Sequence, residues 1–554
     1  MQLVSLSALT LLAGLGSALP ESHLQARGPP ASSPSFQARC EAFGSKINGH
    51  NKHDFQNDVT LHSVTYIPPG GNISMATTPD LCAFNKISTP SPVEFCRVSL
   101  NVTTSSQSQI YMEAWLPGNY TGRFLSTGNG GLGGCVQYAD MLYAAQFGFA
   151  TVGTNNGHFG DSGRFFLGNP EVLEDFAYRA MHTGVEIGKK LTKLFYTQTK
   201  NGYNKSYYLG CSTGGRQGWK SLEKFPDDFD GVVAGAPAFN FINLASWGAR
   251  VITITGNATS DTFITAAQWG GLIHNEIMRQ CDGLDGATDG IIEDPDLCHP
   301  NLETLLCSSS STDPSSCLTR AQVNTASQMF TPLVSQKGEW MYPRMQPGSE
   351  PVAAYVYYSG QPVQYPWDWY RYVVFNNSAW DAATWTVADA EMAARQNPFD
   401  ISTWDSQLVS GFQKKGGKVL HYHGLEDPII TSDSSKAWYK YLVDSTNTSP
   451  SELDSFYRFF PISGMSHCSP GAGASYIGQG LGTYVPGSEH HPEDNVLMAM
   501  VQWVEEGIAP EFVRGTKLAR DGSVEYTRKH CKFPKRNVYV GPGKYTDENA
   551  WECV

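Results

Sequence analysis

The sequence predicts a mainly parallel α/β sheet with helices on both faces, interrupted by one large insertion. Three observations carry this prediction. Short apolar runs alternate with amphipathic segments between residues 149 and 237, in the order strand, helix, strand, helix, strand, and that alternation builds parallel sheets. The run Tyr207-Tyr208-Leu209-Gly210 leads through Cys211-Ser212-Thr213-Gly214-Gly215 into a segment able to start a helix. From Phe239 to about Asp405 the chain turns rich in Trp, Tyr, Asn and Pro and strands become hard to find, before an apolar run resumes at 417–424. Residues 19–238 and 406–554 are therefore assigned to the core and 239–405 to an inserted lid.

Taken in order, Met1 to Ala18 has a short apolar core and ends in small residues, as an export signal cleaved after Ala18 does. Residues 21–36 are rich in Pro, Ser and Ala and read as a leader. Alternating runs between Val59 and Leu116 read as strands, and Arg123 to Thr127 as a further strand entering the Gly-rich loop 128–134. Apolar positions three to four apart over 170–187 predict a helix, followed by strands at 206–210 and 229–236. After the insertion come a strand at 417–423, a helix around 434–443, a strand around 456–460 and a last helix at 494–507.

Composition narrows the function. A chain of 554 residues with 41% hydrophobic content buries a large core, and a net charge of -13 without a dense basic tract argues against nucleic-acid and anionic-membrane partners. No later stretch reaches the roughly 20 apolar residues a membrane span needs. Twelve cysteines, an even number, suit a disulfide-bonded exported protein. Sequons at Asn72, Asn101, Asn119, Asn204, Asn257, Asn376 and Asn447 suit a glycosylated surface.

The spacing Gly210-x-Ser212-x-Gly214 between a strand and a helix is that of a nucleophile elbow, in which small residues let the serine stand exposed on a tight turn. Such an elbow requires an acid and a histidine later in the chain. Asp427, just past the strand at 417–423, supplies the acid, with Glu426 as its rival. His467, after the next strand, supplies the base, with His490 and His491 as competitors at the expected start of the last helix. The order Ser, Asp, His is that of an α/β-hydrolase. Oxyanion donors are expected from the amide of Thr213 and from Gly130 or Gly131 in the Gly-rich loop, which lacks the Lys-Ser/Thr of a phosphate-binding loop. Cys211 and Cys468 flank the nucleophile and the base, so an assembled triad brings the two sulfurs near each other.

The Cys211-Ser212 pair, Asp427 and the His467-Cys468 pair resemble the fungal tannase and feruloyl esterase family over nearly the whole mature chain. The resemblance implies a secreted serine esterase with a large lid, in which Ser212 is nucleophile, His467 general base and Asp427 its orienter. It implies a Cys211–Cys468 bond beside the site, with further bonds Cys40–Cys96, Cys82–Cys135, Cys281–Cys298, Cys307–Cys317 and Cys531–Cys553. It also implies a structural calcium in the acidic loop 281–294, with side chains of Asp282, Asp285 and Asp289 and the carbonyls of Ala287 and Ile291 as ligands; on composition alone that loop reads equally well as a solvated turn. No organic cofactor is expected. The expected substrate is a feruloyl or other hydroxycinnamoyl ester on plant polysaccharide, with galloyl esters as the alternative; a catalytically silent, calcium-stabilised carbohydrate-binding protein is the reading from another class. Lid aromatics such as Trp367, Trp369, Tyr370 and Tyr372 are candidates for stacking on a phenolic acyl group. The oligomeric state stays open.

Overall fold

The structure is a computed structural model and describes residues 34–49, 55, 57–75, 78–197, 202–309 and 315–554. The expected export signal, and the leader up to residue 33, lie outside the described residues.

The central sheet is built from β1 (Val59–Ile67), β2 (Phe95–Thr103), β3 (Gln109–Pro117), β4 (Arg123–Thr127), β5 (Phe149–Thr154), β6 (Lys205–Cys211) and β7 (Gly231–Gly235). Two short strands of the insertion follow, β8 (Leu333–Val334) and β9 (Trp340–Tyr342), paired only with each other, and β10 (Lys418–Gly424) and β11 (Tyr457–Ile462) then complete the sheet. The spatial order is β1-β2-β3-β5-β4-β6-β7-β10-β11. The pairs from β1 to β5 are antiparallel, and those from β5 through β4, β6, β7 and β10 to β11 are parallel.

Successive side chains of a strand point to opposite faces, and the parallel strands are apolar on both because helices cover both. Phe124, Tyr208, Val232 and Val419 join one core cluster, beneath the helices Ala180–Phe195, Thr213–Lys224 and Asp433–Thr446. Their neighbours Leu125, Leu209, Val233 and Leu420 join the opposite cluster, beneath Tyr138–Gln146 and Val496–Glu506. The latter helix is capped by the Asn495 side chain, which accepts from the Leu497 and Met498 amides, and ends at Gly507 with φ 76°. His490 and His491 sit in turns before this helix rather than opening it, because the cap that starts it is Asn495.

The helix expected over 170–187 forms in three pieces: Pro170–Glu174, a π-helical turn Asp175–Arg179, and Ala180–Phe195. The turn coincides with the buried Asp175 carboxylate, which accepts from Thr104 Oγ1 (2.8 Å), Ser108 Oγ (2.5 Å) and Arg179 Nε (2.6 Å).

Residues between β7 and β10 form a mostly helical layer with its own apolar cluster, including Trp247, Trp269, Tyr358 and Trp369, which extends to Leu132, Phe166 and Phe176 of the sheet-bearing part. Arg216, wholly buried on the helix after the elbow, ties the parts together: its guanidinium donates to Ala177 O (2.9 Å), Phe176 O (3.2 Å) and Ile401 O (3.3 Å). Beyond the last helix, β12 (Phe512–Leu518) and β13 (Val524–Cys531) form an antiparallel hairpin.

Candidate active site

Ser212 lies at the end of β6, at the N-terminus of the helix Thr213–Lys224. Its backbone has φ 64° and ψ -123°, a conformation that L-residues rarely hold unless their surroundings enforce it. Here the Ser212 amide donates to Gly235 O (3.0 Å), and its carbonyl accepts from Arg216 N (3.1 Å) and Ala238 N (3.2 Å). The flanking glycines are steric necessities. A Cβ on Gly210 would stand 2.9 Å from the Gly214 backbone, and one on Gly214 would stand 3.0 Å from Asn129 O.

The Gly-rich loop 128–134 is held against this turn by hydrogen bonds to the elbow helix. Thr213 Oγ1 donates to Gly131 O (2.7 Å), and the Asn129 amide donates to Gln217 Oε1 (2.9 Å). Gln217 Nε2 in turn donates to the side-chain oxygens of Asn129 (3.2 Å) and Asn156 (2.9 Å). Among the described residues the amides of Thr213, at the start of a helix, and of Gly130 and Gly131, in the Gly-rich loop, donate to no protein acceptor and are available to an incoming oxygen. Gln217 and Asn129 are positioning residues that the motif does not reveal; the available signal was Gln217 one turn into the elbow helix, facing the Gly-rich loop.

Asp427 is buried in the loop after β10. Its Oδ2 accepts from His467 Nδ1 (2.7 Å) and His423 Nε2 (3.2 Å), and its Oδ1 accepts from the amides of Ile429 (2.8 Å) and Ile430 (2.9 Å). Burial on its own pushes this carboxyl up, but the charge of His467 and the bonds from His423 and His467 outweigh it and hold Asp427 well below the usual carboxylate range. Glu426 behaves oppositely, pushed up to about 7 by burial. Its amide bonds Met465 O, while no bond joins its carboxylate to His467.

His467 follows β11, and Cys468 is bonded to Cys211 with Cα atoms 6.0 Å apart. The other five expected pairs, Cys40–Cys96, Cys82–Cys135, Cys281–Cys298, Cys307–Cys317 and Cys531–Cys553, are bonded as well. Ser212, Thr213, Gly130, Gly131 and His467 all line one cavity of about 700 Å³. The insertion contributes residues including Phe241, Leu244, Tyr357, Tyr365, Pro366 and Trp369 to its lining, which also includes Gln137, Asp140, Gln479 and Thr483. Of the four lid aromatics named from sequence, Trp369 lines the cavity; Tyr370 is buried away from it against Trp380, and Trp367 and Tyr372 lie off the cavity beside the Arg371 guanidinium.

The acidic loop brings Asp282, Asp285 and Asp289 together without closing a cage. Asp282 Oδ1 accepts from the amides of Asp289 (3.2 Å) and Gly290 (3.0 Å), Asp285 from those of Ala287 (2.8 Å) and Glu293 (3.2 Å), and Asp289 Oδ1 from that of Ile291 (3.2 Å). Burial first, then the Asp289 and Asp282 charges, push Asp285 up to about 6. Asp289 Oδ2 is buried with no hydrogen-bond partner, 3.6 Å from the Arg528 guanidinium. Crowded hard oxygens and an orphaned carboxylate oxygen fit a calcium ion, with Arg528 as a competing countercharge. Among the described residues no three His, Cys, Asp or Glu side chains converge as a ready-made cation cage.

Together the sheet and this site define a serine carboxylic ester hydrolase on an α/β-hydrolase core. The model of the tannase and feruloyl esterase family matches residues 96–410 and 405–554, and the chain belongs to that family. It is 65% identical over 523 residues to a probable feruloyl esterase B-1 of Neosartorya fischeri, covering 94% of this chain and 97% of the relative. The crystal structure of feruloyl esterase B from Aspergillus oryzae superposes with a TM-score of 0.89 at 65% identity, covering 94% of this chain and 100% of that one. A tannin acyl hydrolase from Aspergillus niger shares the fold, with a TM-score of 0.71 at 22% identity over 90% of this chain and 91% of that one.

Three outcomes follow from the geometry. Asp427→Asn should lower kcat on any ester about 10⁴-fold, because an amide favours the wrong imidazole tautomer. Ionised Asp427 also contributes stability, complete above the ordinary Asp value near 4 and lost only as pH falls toward its depressed folded value. Urea unfolding of wild type and Asp427→Asn between pH 6 and pH 3 should therefore show their stability gap narrowing towards acid. Replacing both Cys211 and Cys468 by Ala should leave a folded protein with kcat reduced at least about 10-fold, as base and nucleophile lose their fixed spacing; unchanged kcat would show the bond to be purely structural.

Proposed function

We propose that the chain is a secreted feruloyl esterase that releases hydroxycinnamic acids from esters on plant cell-wall polysaccharide. The observation that carries this reading is the cavity at Ser212: the insertion contributes Phe241, Tyr357, Tyr365 and Trp369 to its lining, surfaces on which a planar phenolic acyl group packs, and Gln137, Asp140, Gln479 and Thr483 supply polar groups for a sugar alcohol. The names of the 65% identical relatives support the same substrate class. Ser212 attacks the ester carbonyl while His467 takes its proton, and Asp427 holds the imidazole in the required tautomer and stabilises its cation. The amides of Thr213 and of Gly130 or Gly131 receive the oxyanion, and water then releases the acyl group by the same route reversed.

Export is supported by six disulfides and by the short apolar segment Met1 to Ala18 with its small terminal residues. Asn72, Asn119, Asn204, Asn257, Asn376 and Asn447 are exposed and Asn101 half-buried, which supports glycosylation at the former six. The acidic loop is read as a structural calcium site: Asp282, Asp285 and Asp289 would hold the ion with the carbonyls of Ala287 and Ile291. The ion would offset the mutual repulsion of the carboxylates and takes no part in ester cleavage.

One enzyme preparation, compared on methyl ferulate, methyl caffeate, methyl sinapate and methyl gallate with Ser212→Ala as the blank, tests the substrate. Hydroxycinnamates should be preferred by kcat/KM; a preference for gallate would make the protein a tannase, and inertness towards all four would favour a silent binding protein. For the metal, EDTA should lower Tm by several degrees and excess Ca²⁺ should restore it. An unchanged Tm would mean that Arg528 alone balances the loop.

A further inference from the structure

Behind Asp427, away from Ser212, lies a buried chain of polar side chains that the mechanism above does not use. His421 and His423 both stand on β10, two residues apart, and so project to one face of the sheet. His423 Nε2 lies 2.7 Å from Ile430 O and 3.2 Å from Asp427 Oδ2, and its Nδ1 lies 2.6 Å from Ser435 Oγ. Ser435 Oγ is 2.9 Å from His421 Nε2, and His421 Nδ1 is 2.9 Å from Tyr457 Oη. Tyr457, His421, Ser435 and His423 are wholly excluded from solvent.

The chemistry of the acceptors fixes the protons. A carbonyl only accepts, so His423 must carry its proton on Nε2 to meet Ile430 O. With that proton on Nε2, the Nδ1 lone pair of the ring accepts and Ser435 donates to it. Ser435 Oγ in turn accepts from His421 Nε2–H, and His421 Nδ1 accepts from the Tyr457 hydroxyl. Every donor and acceptor along the chain is satisfied in this one direction, which a buried polar network requires. Burial keeps His421 well below its ordinary value and hence neutral, and it keeps the Tyr457 hydroxyl protonated.

We propose that His423 is a positioning residue for ester hydrolysis: the Tyr457–His421–Ser435 chain locks it as the Nε2–H tautomer, and it fixes the Asp427 carboxylate for His467. With His423 in place, Asp427 Oδ2 has an imidazole on each side and Oδ1 holds two backbone amides, so the carboxylate cannot rotate away from His467. The shared donor also draws part of the Oδ2 charge away from His467, which tempers the basicity of that imidazole. This inference rests on the triad reading but not on the identity of the acyl group.

The test is hydrolysis of p-nitrophenyl acetate by wild type, His423→Phe, His423→Gln and Ser435→Ala, an ester that needs the triad but no phenolic pocket. Wild-type inertness would bring down the esterase reading and this inference with it, whereas an active wild type lets the variants judge the inference alone. His423→Phe keeps the ring volume and removes the donor; its kcat should fall about 10- to 100-fold at nearly constant KM, the range expected for one hydrogen bond to a charged group. The acidic limb of its kcat/KM profile should move to higher pH, because the whole Oδ2 charge then faces His467. His423→Gln restores a donor and should recover most of kcat, and Ser435→Ala should show a smaller fall with the limb moved in the same direction. A folded His423→Phe with wild-type kcat and an unmoved limb overturns the proposal. Should His423→Phe fail to fold, Ser435→Ala decides, and wild-type kcat with an unmoved limb there overturns it equally.

Discussion

Cys211 and Cys468 are 257 residues apart, and their bond joins the end of β6 to the loop that follows β11. Both ends are backbone in a conformation L-residues avoid: Ser212, next to Cys211, has φ 64°, and Cys468 itself has φ 57°. Such strain persists only where the surroundings over-determine it. The cross-link does so from one side, and the close packing of Gly210, Gly214 and Asn129 does so from the other. Loop-closure entropy alone would let His467 wander from Ser212 in the course of thermal motion. A covalent bond one residue from each converts two loops into a single unit.

That unit needs a fixed third point, and Asp427 provides it. Two adjacent carboxyls in one loop are driven in opposite directions by their surroundings. Glu426 is pushed up to about 7 by burial, with the negative Glu350 nearby and His274 only partly offsetting it. Asp427, against the opposing effect of burial, is held down by two imidazoles, while two amides bond its other oxygen. At neutral pH only Asp427 is therefore firmly ionised, and it alone touches His467. Pairs of titratable groups whose environments split them in this way mark the division of roles in an active site.

Much of this was legible in the sequence. Ser212, Asp427 and His467 each follow a strand of recognisable pattern, and the strand-loop order decides which of several carboxylates and histidines fall at the same sheet edge. The parallel core was equally readable, since two-sided burial leaves continuous apolar runs such as Gly231–Gly235. What escaped reading depends on contacts between distant segments. Arg528, the countercharge of the acidic loop, lies in β13, and its approach to Asp289 and Glu293 has no local signature. The π-helical turn at Asp175–Arg179 answers to Thr104 and Ser108 on a distant loop. His490 and His491 fall short of the last helix, because a single Asn495 side chain that accepts from two amides sets its start.

The two histidines of β10 were readable in a different sense. A central parallel strand is dry on both faces, so His421 and His423 within Val419-Leu420-His421-Tyr422-His423 could not be solvated. Two buried imidazoles on one face demand partners, because an unpaired buried donor or acceptor costs on the order of 1–3 kcal/mol. The sequence thus announces a polar network under the acid loop without naming its members. Ser435 and Tyr457 come from the following helix and the neighbouring strand, elements that must pack on β10 in a parallel sheet. An aspartate placed at the end of such a strand meets the network at its terminus, where Ile430 O settles the tautomer and Asp427 receives the remaining share of the proton. The fold that carries the acid to the sheet edge is therefore also what holds it still.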